Sequence, residues 1–295
     1  MSPLRHPCRI GSSLQRSKAV SLDVVLQKVP YCSSQQSDLH PILAMLIPTA
    51  SRWRRLTLQV EWNSSDLGIL WEIQSCFPSL RFLHLVTTFI ACPTLSKSLT
   101  GVLASATTLK KVRLSRLHDS DIFGVPWLDL TSLYLEYVRW PLVILRQAAR
   151  VKNLVLQNYF FNHPKANGQS PITLPDVEKL AISGEHFDAG LLALMIMPKL
   201  HHLTVTTLDH LRVSNLVSAF RVHAFPCLRV LDLKLEHVND ELCRLLERFP
   251  TLEELYLQEC GPDIPDEFVQ NFLNDWTWVD NFPAQFDSFG IPTAR

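Results

Sequence analysis

One short apolar phrase returns nine times along the chain and constrains the fold more than any other feature. It consists of a large apolar residue, two variable residues, a Leu or Val, one variable residue and another branched apolar residue, as in Leu80–Leu85 and Leu228–Leu233. The average interval of about 25 residues lies within the leucine-rich repeat range. The middle residues of the copies are Leu56, Leu83, Val112, Leu133, Leu154, Leu180, Leu203, Leu231 and Leu255.

The two closing apolar residues of each copy are two positions apart, which predicts a half-buried β-strand. Segments between the copies carry apolar residues three to four positions apart, a spacing that favours helices. The predicted helices are Asp66–Cys76, Leu99–Thr107, Pro141–Arg150, Phe187–Met197, Val213–Val222 and Asn239–Arg248.

Proline lies two residues before the first apolar residue of several predicted strands. Because proline disfavours helix at the position before it, each one is expected to separate a helix from the next strand. The four clearest examples are Pro78, Pro198, Pro226 and Pro250.

A single repeat buries too little apolar surface to offset its loss of conformational entropy, so the repeats must stack. We therefore predict an α/β fold, a leucine-rich-repeat solenoid or horseshoe with a concave parallel sheet and convex helices. The expected organisation is a flexible leader at 1–18, an irregular solenoid of about nine to ten units at 19–260, and a capping helix and tail at 261–295.

Both ends of the array are expected to be capped. Alternating apolar residues predict an extra strand at Val20–Leu26, followed by a short helix at Ser37–Ile47. At the other end, Asp266–Trp276 has helical apolar spacing. This last helix is interpreted as a cap over the core or, alternatively, as a docking helix for a partner.

Composition narrows the classes of partner. The 28 basic and 28 acidic residues cancel, so no overall field favours nucleic acid or an anionic membrane. No apolar stretch approaches the roughly 20 residues of a membrane-spanning helix, and residues 1–18 lack the apolar core of a secretory signal. The seven cysteines form no Cys-x-x-Cys pair, which favours reduced, mostly buried thiols in the cytoplasm or nucleus.

The sequence lacks the motifs of the common enzyme sites. Glycine-rich phosphate loops, a nucleophile elbow and a zinc-protease helix are all absent, and the nine glycines do not cluster. His201 and His202 are adjacent, so on a strand their side chains point to opposite faces and do not converge on one metal ion. We therefore expect no catalytic residues, no metal, no cofactor and no enzymatic activity.

The residues flanking the inward leucines are expected to line the concave face and bind a protein target. Aromatic and Arg side chains on a rigid surface are the usual energetic anchors of protein recognition. The remaining expectation is that the chain is a monomer. The candidate partner-binding residues are Phe82, His84, Lys111, Arg113, Tyr134, Glu136, His202, Asp232 and Tyr256.

Several phrases resemble the F-box and leucine-rich-repeat proteins of mushroom-forming fungi. They are Leu14–Ser17 with Ser21–Val24, Arg52–Leu56, Pro126–Glu136, and Ile172–Pro175 with Leu180–Ser183. In that family, an amino-terminal F-box binds the Skp adaptor of a cullin ubiquitin ligase and the repeats hold the substrate. The resemblance thus implies a substrate-recognition region.

No Leu-Pro-x-Glu opening of an F-box occurs in residues 1–50, so adaptor binding is expected only if an F-box lies upstream. The alternative is a free-standing repeat scaffold or inhibitor without a ubiquitin link. The slot after each strand, which often holds Asn in leucine-rich repeats, contains other residue types in this chain, including Val138, Tyr159 and Glu185. Irregular turns are expected there.

Overall fold

A computed structural model describes most of the repeat region. The described residues are 20–27, 45–60, 77–87, 103, 105–116, 125–138, 141–159, 170–185, 189–207, 213–220, 225–235 and 240–258. The predicted helices Asp66–Cys76 and Asp266–Trp276 lie outside them, as do most of the predicted helix Ser37–Ile47 and the segments 1–18 and 261–295.

Ten strands form one continuous sheet, and every neighbouring pair in it is parallel. Its order is β1-β2-β3-β4-β5-β6-β8-β10-β11-β12, so the sheet follows the order of the chain. Its strands are β1 (Leu22–Gln27), β2 (Trp53–Val60), β3 (Phe82–Thr87), β4 (Lys111–Ser115), β5 (Ser132–Glu136), β6 (Asn153–Gln157), β8 (Lys179–Gly184), β10 (His202–Thr207), β11 (Val230–Lys234) and β12 (Glu254–Gln258). The short strands β7 (Ile172–Thr173) and β9 (Met195–Ile196) pair separately.

The register of the sheet aligns the repeats residue by residue. Leu56 pairs with Leu83, Leu83 with Val112, and the series continues without a shift to Leu255. At the other end, Val24 of β1 pairs with Leu56, so the predicted extra strand extends the same column. The predicted α/β solenoid with a parallel sheet is confirmed. The extra strand begins at Leu22, and Val20 before it is exposed.

The inward leucines form the core because the strand period places both closing apolar residues of each phrase on one face. From β2 to β11 these residues are almost fully buried, and one contiguous cluster includes them all. Leu255 and Leu257 of β12 are only partly buried. The last described strand is therefore less well covered than the strands before it.

Each strand of the main sheet after β1 is preceded by a tight turn that begins at a buried apolar residue. In five repeats, that residue is followed by proline, and the amide of the residue three positions on donates to its carbonyl. The donors are Leu80, Val177, Leu200, Leu228 and Leu252, at 3.0 to 3.3 Å. Proline suits the second position of such a turn because its fixed φ matches the required geometry. Pro78, Pro198, Pro226 and Pro250 all lie in the turn just before a strand, as predicted. A helix precedes the turn at Pro250, whereas strand β9 precedes the turn at Pro198, and the residues just before the turns at Pro78 and Pro226 lie outside the described ranges.

The helices are short, with α1 at Pro141–Gln147, α2 at Ala189–Ala193, α3 at Val213–Phe220 and α4 at Asp240–Leu246. Consecutive helices α2, α3 and α4 are in contact, and two short 3₁₀ segments occupy Ile47–Arg52 and Trp127–Asp129. Buried aromatic rings join these last repeats, since Phe220 packs edge-on against Phe225 at 5.3 Å and Phe249 at 5.2 Å.

Three predicted helices were wrong in extent. In the segment Phe187–Met197, the helix ends at Ala193, because Met195–Ile196 forms a strand instead. The amides of Ile172 and Leu174 donate to the carbonyls of Leu194 and Ile196. The segment Pro141–Arg150 ends its helix at Gln147, before a turn. The described part of Leu99–Thr107 is a turn ending at a buried Ala106.

Four neighbouring strands end in a residue with positive φ. These residues are Arg116, Tyr137, Asn158 and Gly184, with φ of 62°, 52°, 46° and 152°. The amides of the first three donate to the carbonyls of Glu136, Gln157 and Ser183 on the next strand, at 2.7 to 3.0 Å. The left-handed residue therefore extends the hydrogen bonding between neighbouring strands by one residue. Backbone amides make these contacts next to positions where the Asn of other leucine-rich repeats is absent from this sequence.

Candidate partner-binding face

The strand face opposite the buried leucines carries three columns of side chains, which we call the open face. The first two columns follow the predicted alignment, with one residue from each of the nine strands that follow β1 in the sheet. The first column consists of Arg55, Phe82, Lys111, Ser132, Asn153, Lys179, His202, Val230 and Glu254. The second column consists of Thr57, His84, Arg113, Tyr134, Val155, Ala181, Thr204, Asp232 and Tyr256. The third column consists of Gln59, Val86, Ser115, Glu136, Gln157, Ser183, Thr206, Lys234 and Gln258.

Strands β3 to β6 carry a set of side chains that contact one another, which we call the central cluster. Its members are His84, Arg113, Ser115, Tyr134, Glu136 and Gln157. The Arg113 guanidinium lies 4.0 Å from the Tyr134 ring centroid, and its Nη2 donates to Glu136 Oε2 at 3.0 Å. The Ser115 hydroxyl donates to the same carboxylate oxygen at 2.8 Å, and the Tyr134 hydroxyl donates to Gln157 Oε1.

Partial burial sets the protonation states of the cluster. Burial lowers the pKa of His84 to about 4. The positive charge of Arg113 also lowers this pKa, whereas the negative charge of Glu136 raises it. Burial also raises the pKa of Tyr134 to about 12. The His84 ring is therefore neutral at neutral pH. Two buried atoms of the cluster, His84 Nε2 and Arg113 Nε, have no hydrogen-bond partner.

The other predicted partner-binding aromatics lie towards the two ends of the sheet. Phe82 is half-buried beneath the Arg55 guanidinium, which lies 5.1 Å from the ring centroid. At the far end, the Tyr256 hydroxyl donates to Glu254 Oε2 at 2.7 Å, and this hydrogen bond raises the pKa of Tyr256. The two rings are separated by six intervening strands, so they belong to one face without being in contact.

The predicted binding residue Asp232 is only 4% exposed. Its carboxylate accepts a hydrogen bond from Gln258 Nε2 at 2.8 Å, while burial raises its pKa. A partner could reach this carboxylate only after displacement of the Gln258 amide. Its part in binding stays a prediction, as does that of the other eight candidate residues.

A shallow depression of about 280 Å³ crosses the sheet from β4 to β10, and we call it the basic groove. Lys111, Lys179 and His202 line it together with Ser132 and Asn153, all from the first column. The short second-column side chains of Val155, Ala181 and Thr204 leave the space open. All five first-column residues were predicted to share one column of the concave face, but only Lys111 and His202 were predicted to bind a partner. The groove could have been predicted from the sequence, because several small second-column residues lie next to first-column lysines.

The lining of the basic groove contains no carboxylate. Both lysines are exposed, and neither forms an ion pair with any described residue. Burial lowers the pKa of His202, and the nearby charge of Lys179 lowers it further. The Asn153 amide lies 3.5 Å from the Ser132 hydroxyl, so uncharged donors sit between the lysines.

Other kinds of site are not found in the part of the chain that the structure describes. Its His, Cys, Asp and Glu residues form no group of three that could hold a metal ion. Its helices include none with the length and apolar character to cross a bilayer. Cys227, where it can be described, is a free and exposed thiol, unlike the mostly buried thiols expected from the sequence. The chemistry of the open face is thus charge, hydrogen bonding and aromatic contact.

Comparisons with known proteins add little to this geometry. No family model matches the chain, and no curated protein matches it. Among solved structures, it is similar to a leucine-rich-repeat protein of Leptospira interrogans, with 15% identity over 94% of this chain and 99% of that one, and a TM-score of 0.26. Because that score is low, the description of the fold rests on the strand pairing of this chain alone.

Proposed function

We propose that the chain is a protein-interaction module that binds its target across the open face. The observation that carries this proposal is the sheet itself, in which nine adjacent parallel strands, from β2 to β12 in the sheet order, hold three columns of mostly polar, charged and aromatic side chains in fixed register. A rigid and extended surface of this kind lowers the entropic cost of binding, because little needs to be ordered on association.

The anchors proposed for the target are Phe82, Arg113, Tyr134 and Tyr256. Aromatic and Arg residues dominate the energetics of protein interfaces, particularly where neighbouring side chains hold them in place. Arg113 and Tyr134 are held by each other and by Glu136 and Gln157. They therefore lose little side-chain entropy on binding.

Photo-crosslinking tests the proposed face directly. A benzoylphenylalanine would be placed at Phe82 or Tyr256 on the open face, and at Val143 of α1 or Leu128 as matched controls, which are 41% and 63% exposed. In extracts of the source cells, the open-face positions are expected to give discrete protein adducts that the control positions do not give. Equal adducts from both sets would contradict binding across the open face.

We further propose that the bound protein is a substrate for ubiquitylation and that the chain acts in the cytoplasm or nucleus as a monomer. The support is the resemblance of the Arg52–Leu56 and Pro126–Glu136 phrases to F-box repeat proteins. The test is co-purification with the Skp adaptor, comparing this chain with a version extended upstream. If neither version binds the adaptor, the alternative of a free-standing scaffold or inhibitor is favoured.

A further inference from the structure

We propose that the basic groove binds the carboxylate side chains of an acidic segment in the protein partner. The inference rests on the proposed function, since it assigns a chemistry to one part of the same open face. Its evidence is the spacing of the lysines, the short side chains between them and the absence of acidic residues from the lining.

The spacing of the charges suits a peptide side chain. Lys111 on β4 and Lys179 on β8 stand in the same column with β5 and β6 between them. Three strand spacings at ~4.8 Å place their Cα atoms about 14 Å apart. Between them, the column contains only Ser132 and Asn153, both of which can donate hydrogen bonds to a carboxylate.

The floor of the groove leaves room for such a group. Val155 and Ala181, next to the column, have short side chains, whereas the second-column residues on β4 and β5 are the bulky Arg113 and Tyr134. The depression therefore begins where the central cluster ends. A volume of about 280 Å³ is close to the lower end of ordinary ligand pockets, which suits one or two side chains of a peptide.

Charges around the groove leave it positive. Two ion pairs on strands β4 to β8 and the residues before them, Lys152 with Glu178 at 2.8 Å and Arg113 with Glu136 at 3.0 Å, add no net charge. At the β10 end of the groove, the charge of Glu254 opposes that of Lys179 in its effect on the pKa of His202. A second depression, between α3 and α4, is lined by Glu241 together with Arg244 and Arg248, so its carboxylate offsets one of two positive charges. The basic groove has two lysines and no carboxylate in its lining, so of these two depressions it favours an anion more strongly.

A peptide fits the groove better than a nucleic acid. A polyanion gains affinity from many phosphate contacts along a basic stripe. Here the first column changes from the basic residues Lys111 and Lys179 to Val230 and Glu254 within a few strands. An acidic peptide segment that contributes one or two carboxylates does not need a longer stretch of basic residues.

The experiment measures binding of a fluorescent oligo-glutamate peptide to the full chain, with oligo-glutamine of the same length as the neutral probe. A groove variant combines Lys111→Gln and Lys179→Gln. A control variant with the same change in net charge combines Arg146→Gln on α1 and Arg244→Gln on α4, both exposed residues outside the open face. Circular dichroism and the urea midpoint establish that each variant is folded.

The expected result is binding of oligo-glutamate but not of oligo-glutamine, with affinity that falls as salt is added. The groove variant should lose at least about tenfold in affinity, equivalent to ~1.4 kcal/mol, and the control variant should change little. Equal losses in both variants would overturn the proposal, because they would show attraction by overall charge alone. Absence of oligo-glutamate binding, or tighter binding of an oligothymidylate of equal charge, would also overturn it.

Failure here is distinguishable from failure of the proposed function. If the photo-crosslinks from Phe82 and Tyr256 form while oligo-glutamate does not bind, the open face binds protein but the groove does not take carboxylates. If the crosslinks also fail, the interaction module itself is contradicted.

Discussion

The central cluster and the basic groove are adjacent regions of one sheet, built on the same leucine columns, yet their charged side chains are arranged in opposite ways. In the cluster, Arg113 is paired with Glu136 and covered by Tyr134. In the groove, Lys111 and Lys179 have no acidic neighbour in the lining. The same sheet therefore carries one region whose charged side chains are paired with each other and one region whose lysines are available to an anion.

The difference follows from which residue types the register brings together. Adjacent strands place Arg113 directly opposite Tyr134 and diagonally from Glu136, and such cross-strand pairs stabilise a sheet. Lys111 and Lys179 are instead separated by the uncharged pair Ser132 and Asn153, which keeps like charges off neighbouring strands. One arrangement favours folding stability, and the other tolerates charge that a partner can use.

The largest expected effect is common to both regions. Leu133 lies beneath the cluster and Leu180 beneath the groove, and both are fully buried. Leu133→Ala and Leu180→Ala should each lower the free energy of unfolding by about 2 to 5 kcal/mol, from lost burial and the cavity that remains. Urea unfolding followed by circular dichroism measures this. A loss well below that range at either site would mean that the two regions do not share one core.

The seam between the regions is the next most sensitive point. Gly184 of β8 has φ of 152°, and an added Cβ would lie 2.9 Å from the backbone nitrogen of Asn158. Gly184→Ala should therefore cost about 1 to 3 kcal/mol of unfolding free energy. The neighbouring Ser183→Ala serves as the control and should change stability little. Similar values for the two variants would contradict the strained position.

Charge removal compares the two regions most directly. Glu136→Gln removes the ion pair of a half-buried Arg113 and should cost about 1 to 2 kcal/mol of unfolding free energy. Lys179→Gln removes an exposed charge that forms no ion pair with the described residues, and it should change stability by less than about 0.5 kcal/mol. Chemical denaturation of both variants gives the comparison. Equal costs would show that the groove lysine is also a structural residue.

A smaller effect is expected on the pH dependence of the unfolding free energy, and it arises in the central cluster. The pKa of His84 is lowered from 6.5 to about 4 in the folded chain, so the unfolded chain binds this proton more readily. The contribution to stability is complete above the unfolded pKa and is lost as pH falls towards the folded one. Unfolding free energies at about pH 7 and pH 4.5 should therefore differ more in the natural chain than in His84→Gln. An identical pH dependence would contradict the buried neutral ring.

The sequence predicted the sheet well because the leucine period is two and the strand register is set by burial. The alignment of Leu56 to Leu255, and of the first two open-face columns, follows from that alone. Helix ends were predicted less well. Met195–Ile196 looked helical by its spacing, but pairing with Ile172–Thr173 supplied backbone hydrogen bonds that local propensity does not reveal.

The candidate site was only partly predictable. Exposed aromatic and charged columns could be read from alternation, but side-chain contacts across strands could not. Asp232 was expected on the binding face, and the structure places it under Gln258, because a diagonal neighbour two positions along can cover a short carboxylate. Prediction of the basic groove would have required recognising that the side chains of Val155 and Ala181 are too short to fill the space beside two lysines.

The most direct test of the continuous, registered sheet is a set of distances between spin labels. In a chain whose seven cysteines are replaced, labels at Arg55, Lys111, Lys179 and Glu254 would occupy one column. Five strand steps separate Arg55 from Lys179, six separate Lys111 from Glu254 and eight separate Arg55 from Glu254. At ~4.8 Å a step, the separations along the sheet are about 24, 29 and 38 Å, and the measured distances should increase in that order. A longer series of strands giving a shorter distance would contradict the stacked sheet on which both regions depend.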